Sequence, residues 1–162
     1  MSELQRLQRF FCKEMTEGGW ASDNDGEPSK EIPGWKEILY SGTLTGYPGL
    51  RLIDRWGEDS GKPSGHTLIF REHLPVWAMW YGGGSYENEA LPMLRKALLE
   101  TYSNNQFHGG RAQSGFIYED RRYHNRYEGG FDKFSGHEWI SGQENELFGS
   151  HDYWGGSLVY LQ

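Results

Sequence analysis

His66 and His137 stand at the same point of two similar stretches, and the second is followed by a carboxylate, Glu138. Two imidazoles and a carboxylate brought into one pocket could move protons or bind a metal, which makes His66, His137 and Glu138 the candidate catalytic residues. The six histidines show no HExxH, no HxH and no paired spacing on a helix face, and Cys12 has no second cysteine to complete a thiolate site. Neither a metal nor a cofactor is expected from such spacing, and histidines of this kind also serve as packing or turn-capping groups. His108-Gly109-Gly110 resembles an esterase oxyanion loop, yet no G-x-S-x-G elbow accompanies it. Gly82-Gly83-Gly84-Ser85 lacks the Lys-Ser/Thr of a phosphate loop and reads as a tight turn. The adjacent carboxylates Glu58-Asp59 and Glu119-Asp120 face opposite ways on a strand and water in a turn, so neither forms an acid–base pair alone.

Two binding features stand beside these. Strand alternation puts Arg122, His124 and Arg126 on one face and Tyr123, Asn125 and Tyr127 on the other, while Arg51 and Arg55 share a face in the earlier stretch. Each stretch thus presents a two-Arg stripe, open to a ligand unless carboxylates such as Glu37, Glu72 or Glu119 pair with it across strands. The second feature is aromatic excess, 7 Trp, 10 Tyr and 8 Phe, more rings than a small core usually needs. The candidate ligand-binding set is therefore Trp77, Trp80, Tyr81, Arg122, Arg126, Tyr127, Trp139 and Trp154. An anionic or aromatic small molecule, or an acidic protein segment, would suit it.

The two stretches, Arg51 to Ile69 and Arg122 to Ile140, are collinear. Arg51/Arg122, Arg55/Arg126, Lys62/Lys133, Ser64/Ser135, Gly65/Gly136, His66/His137 and Ile69/Ile140 are identical in one register. Each runs on into an aromatic pair and two glycines, Trp80-Tyr81-Gly82-Gly83 and Tyr153-Trp154-Gly155-Gly156. This pattern implies an internal duplication covering about 51–83 and 122–156, whose units fold as equivalent three-stranded sheets.

Elements must position these groups. Ser2 and Gln5 form a capping box ahead of Leu4, Leu7, Phe11 and Met15 at helical spacing, so residues 1–17 make an amphipathic helix halted by Gly18-Gly19. Residues 18–34 are polar and acidic with Gly and Pro, a mobile loop anchored at most by Trp20. Strands follow at Trp35 to Tyr40, Arg51 to Trp56, His66 to Arg71 and Val76 to Tyr81. A second helix spans about 87–103, capped by Ser85 or Asn88 with Pro92 in its first turns. The strand pattern resumes from Gly115 and closes on Ser157 to Leu161. The expected fold is α+β: one domain over 1–162, with a duplicated strand core in 35–162. It is a twisted antiparallel sheet with one or two packed helices.

A chain of 162 residues buries enough surface to fold without metal or disulfide. The lone Cys12 and the lack of an apolar leader or span fit a cytoplasmic protein away from membranes. A net charge of -7 repels phosphate backbones and argues against direct nucleic-acid binding.

The run Pro75-Val76-Trp77-Ala78-Met79-Trp80-Tyr81-Gly82, the helix core Ala97-Leu98-Leu99 and Phe134-Ser135-Gly136-His137-Glu138-Trp139-Ile140 resemble a bacterial family of small domains of unknown function. Its motifs read PVWxMxYxG and FSGxExI. The resemblance implies a domain found alone or appended to helix-turn-helix segments, and it supplies no activity. Thr67 stands where the second stretch has Glu138, so it implies no carboxylate in both copies. The expectation is a small ligand- or protein-binding module. The alternatives are an enzyme with a pocket around His66, His137 and Glu138, or an accessory domain of a transcription regulator.

Overall fold

The computed structural model describes residues 1–57 and 61–159. Helix α1, Glu3–Glu17, starts at the expected capping box: the Gln5 amide donates to Ser2 Oγ at 3.2 Å and the Ser2 amide to Gln5 Oε1 at 3.0 Å. Leu7, Phe10, Phe11 and Met15 on its buried stripe enter the core. The helix stops where a side chain at Gly19 would collide with the Met15 backbone. Residues 18–34 contain a single helical turn, Trp20–Ser22, and a two-residue strand, β1, Glu27–Pro28. Strands β2, Trp35–Ser41, and β3, Leu50–Gly57, are joined through a four-residue helix, α2, Gly42–Thr45. The strands β4, Ser64–Arg71, and β5, Leu74–Gly82, complete the first meander.

A turn at Asn88–Ala90 leads into α3, Leu91–Ser103. Its N-cap is Ala90 with no side-chain bond, so neither Ser85 nor Asn88 caps it; Pro92 sits in the first turn, where its missing N–H costs nothing. The second meander is β6, Ile117–Tyr118, β7, Arg121–Gly130, β8, Lys133–Ser141, and β9, Leu147–Ser157. The closing strand is therefore β9, ending at Ser157: Leu158 and Val159 form a bend, and residues 160–161 lie outside the described residues, as do Glu58 and Asp59.

One antiparallel sheet results, in the order β1-β2-β3-β4-β5-β9-β8-β7-β6. From either edge the strands run inward in chain order to a central β5–β9 pair, five on one side and four on the other. Arg51, Asp54 and Arg55 face Phe70, Thr67 and His66 across β3–β4, and Arg122, Asn125 and Arg126 face Ser141, Glu138 and His137 across β7–β8. Every residue of the second set follows its counterpart by the same interval, so the two units hold equivalent places with equivalent register. On the central pair Tyr81 lies opposite Tyr153, and a pseudo-two-fold axis passes between them. The aromatic-Gly-Gly runs match one residue out of step with the sequence alignment: pairing equates Tyr81 with Tyr153 and Trp80 with Asp152.

The twinned glycines have one cause. A Cβ on Gly65 would meet the Tyr81 hydroxyl, and a Cβ on Gly136 the Tyr153 hydroxyl, so each tyrosine lies flat over the glycine of the next strand. Helices α1 and α3 pack on the same face of the sheet, hereafter the inner face. Trp77 is fully buried there, stacked 4.6 Å from Phe131 and tilted against Phe11 at 5.2 Å, with Nε1 donating to the Phe131 carbonyl at 2.7 Å. Its place among the expected ligand-binding residues is corrected: it is the centre of the core, and a buried ring of that size stabilises by about 2–3 kcal/mol.

Candidate functional site

Around the axis the inner face changes from apolar to polar. Asp54 and Thr67 lie on the β3–β4 side; Asn125, Glu138 and His151 lie on the β7–β9 side. Arg111 completes the group from the loop after α3. That loop is shaped by glycine: Gly109 and Gly110 have φ of 70° and 73°, with the Tyr153 ring against one and Met79 Sδ against the other. Tyr102 Oη donates to the Gly110 carbonyl at 2.7 Å, and Asn125 Nδ2 donates to the carbonyls of His108 and Ala112 at 2.8 Å each. Pinned on both sides, the loop turns Arg111 under the sheet.

Arg111 Nε and Nη2 donate to one oxygen, Glu138 Oε1, at 2.9 and 2.6 Å, while Tyr123 Oη donates to Oε2. Glu138 is fully buried. Burial alone would raise its pKa, but the guanidinium holds the carboxyl well below the usual range. The same guanidinium lies 5.3 Å from the Tyr81 ring. Asp54 has a different fate: buried, accepting from Thr67 Oγ1 at 2.9 Å and lacking a bonded cation among the described residues, it is pushed up to about 6 by burial.

His151 is 6 % exposed, and neither ring nitrogen has a hydrogen-bond partner among the described residues. Nδ1 lies 3.7 Å from Glu138 Oε1, beyond bonding reach. The Tyr86 ring meets the imidazole edge-on at 4.9 Å, and its buried hydroxyl is also without a partner. These groups line a cavity of about 430 Å³ whose walls are Trp20, Trp56, Tyr81 and Tyr86, with Arg111 and His151 among its polar groups and Lys36, Asp25 and Arg95 also along it. Arg95 stacks 4.3 Å from Trp20 and pairs with Asp23 and Asp25, tying the 18–34 segment to α3 across this cavity. Among the described residues, no serine, threonine or cysteine lines it. The arrangement suits recognition of a flat, polar molecule by ring faces and hydrogen bonds.

The sequence-derived residues separate into distinct places. His66 and His137 lie on the outer face and Glu138 on the inner, because neighbours on a strand point opposite ways, so the three share no pocket. Two strands separate β4 from β8, which sets the strands carrying the two histidines about 14 Å apart. His137 Nδ1 instead meets Asp152 Oδ1 at 2.7 Å. Trp80 and Trp154 stack at 6.3 Å on the outer face, and Trp139 lies between His124 and His137, 4.8 and 5.5 Å from their rings. Arg122 and Arg126 are exposed there, with no ion pair among the described residues; Tyr127 sits at the edge beside His108. Tyr81 alone of the expected binding set reaches the cavity. Arg111, His151 and Tyr86 were missed. Alternation from Glu138 names the face, but His151 joins it only through the β8–β9 register, and nothing in the sequence marks Arg111 beyond its two preceding glycines. Among the described residues no three His, Cys, Asp or Glu side chains group as metal ligands, and no helix is long and apolar enough to cross a membrane.

The model of a family described as a domain of unknown function, DUF5680, matches residues 60–158. The chain belongs to this family. No curated protein and no solved structure matches the chain. The DUF5680 match takes in Tyr81, Tyr86, Arg111, Glu138 and His151, while the opposing cavity residues Trp20, Lys36 and Trp56 precede it.

Proposed function

We propose that this DUF5680 chain is a small-molecule binding module whose ligand occupies the inner-face cavity beside Arg111, Glu138 and His151. The observation that carries the reading is the imidazole of His151, buried with both nitrogens unpartnered against an aromatic-walled cavity. A buried polar group left unbonded costs about 1–3 kcal/mol, and a ligand that bonds it recovers that cost. The Tyr86 hydroxyl adds a second unmet group beside the first. Four aromatic side chains supply flat apolar contact, so the fitting ligand is a planar ring system carrying hydrogen-bonding edges.

Thermal denaturation in the presence of neutral and anionic heteroaromatic compounds tests this. Ligands that raise the melting temperature of the parent protein should have no such effect on His151→Phe, which fills the same space without the two nitrogens. Equal stabilisation of both proteins, or no stabilising compound at millimolar concentration, overturns the reading.

A further inference from the structure

The two halves of the sheet treat equivalent arginines differently, and the difference is independent of the cavity. Arg55, on β3, is 9 % exposed. Its Nε donates to Glu37 Oε2 at 2.7 Å, and its Nη2 lies 2.8 Å from Glu31 Oε2. Glu37 comes from β2, which pairs with β3 along its whole length, from Trp35 opposite Gly57 to Ser41 opposite Arg51. Arg126 holds the same place on β7. The strand that should flank it is only β6, whose pairing with β7 is limited to Ile117–Arg122 and Tyr118–Arg121. Bonds from Gly115 to the Tyr123 carbonyl and from Tyr123 to the Phe116 carbonyl carry the chain one step further; then it leaves the sheet at Ser114 toward Arg111. The cost of delivering Arg111 inward is an uncovered edge. Arg126, Tyr127, Glu128 and Gly129 are all exposed, and no ion pair holds Arg126 among the described residues.

Because Tyr123 bonds outward to Phe116, alternation directs the N–H and C=O of Tyr127 outward too. We propose that this edge of β7 accepts an extended acidic segment of a partner protein as an added strand, antiparallel to β7, with a carboxylate opposite Arg126. The segment takes the place that Trp35–Glu37 hold on β3, opposite residues 126–128 of β7, and its carboxylate takes the place of Glu37. Main-chain bonds to Tyr127 give affinity, and the Arg126 guanidinium selects the side chain opposite. Glu128, two residues along the same face, disfavours a second acid opposite itself.

The geometry supplies its own probe, a free peptide with the sequence of residues 32–37, whose one Glu sits opposite Arg126 in the β2 register while the rest runs past Gly129, clear of the positions that β6, Phe116 and Ser114 occupy. Binding to the isotope-labelled protein is followed by amide shifts, and the expected changes centre on residues 126–129. Tyr127→Pro removes an outward N–H together with the ring beside His108 and leaves the β7–β8 ladder intact, so folding persists while peptide binding is lost, whereas Tyr127→Ala, which keeps the N–H, retains binding. Arg126→Glu weakens the peptide by about two- to fivefold, the range of an exposed ion pair, and a peptide with Arg in place of the Glu recovers that loss. Shifts centred elsewhere, undiminished binding by Tyr127→Pro, or failure of the charge exchange overturns the proposal. So does a homodimer that Tyr127→Pro dissociates, since a second copy would then be the occupant.

Discussion

Arg111 and Glu138 meet through two hydrogen bonds on a single carboxylate oxygen, with Glu138 fully buried and Arg111 only 7 % exposed. The pair spans the step from the loop after α3 to the middle of β8, and Tyr123 holds the remaining oxygen. Removing one charge strands the other. Glu138→Leu and Arg111→Met should each lower stability by about 3–5 kcal/mol, whereas the two substitutions together should recover much of the loss. Urea unfolding of the two single variants and the double variant measures this, and additive losses contradict it.

Asp54 gives a pH dependence with a defined sign. Its folded-state pKa of about 6 lies above its ordinary value of 3.8, so the folded protein binds this proton more tightly than the unfolded chain. The contribution is full below about pH 4 and is lost as pH rises through about 6. Asp54→Asn should abolish that slope and stabilise the protein at pH 7.5 by up to about 3 kcal/mol, while matching the parent at pH 3.5. Denaturation midpoints across pH 3.5–7.5 read both ends, and parallel curves for the two proteins would sink the assignment.

His151→Phe should raise the melting temperature of the ligand-free protein, because it removes two buried unbonded nitrogens; the gain is about 1 kcal/mol. Calorimetry of parent and variant is sufficient. A less stable variant shows the imidazole to be part of the scaffold.

Gly65→Ala and Gly136→Ala should each cost about 2 kcal/mol, since the new methyl meets a tyrosine hydroxyl and the carbonyl of Arg55 or Arg126. Tyr81→Phe relieves the first and Tyr153→Phe the second, in part. Thermal melts of the paired variants check it: a tyrosine change that rescues the wrong glycine contradicts the two-fold arrangement.

Much of the sheet was legible because its determinants are local. Ser2 and Gln5 fix the start of α1 by themselves, and the Ser-Gly-His repeats mark strands whose twinned glycines answer to twinned tyrosines. The DUF5680 match agrees with the resemblance carried by Val76-Trp77 and by Phe134-Ser135-Gly136, in that both point to a domain of unknown function. The site was not legible, since it depends on which strands lie side by side. His137 and Glu138 are adjacent in sequence and lie on opposite faces of the sheet. His151 meets Glu138 only across the β8–β9 ladder. Arg55 and Arg126 read alike along the chain, yet one is neutralised by a long neighbouring strand and the other is bare beside a short one.

The six residue pairs of β5 and β9 are the seam at which the halves of the sheet join. Each side brings its own helix and its own meander, and Phe11 and Trp77 from one side interlock with Phe131 from the other. A chain severed in the Gly83–Gly84 link would yield two fragments with complementary edges and complementary rings. Those fragments are a natural pair for split-protein reassembly, in which refolding of one piece reports the arrival of the other.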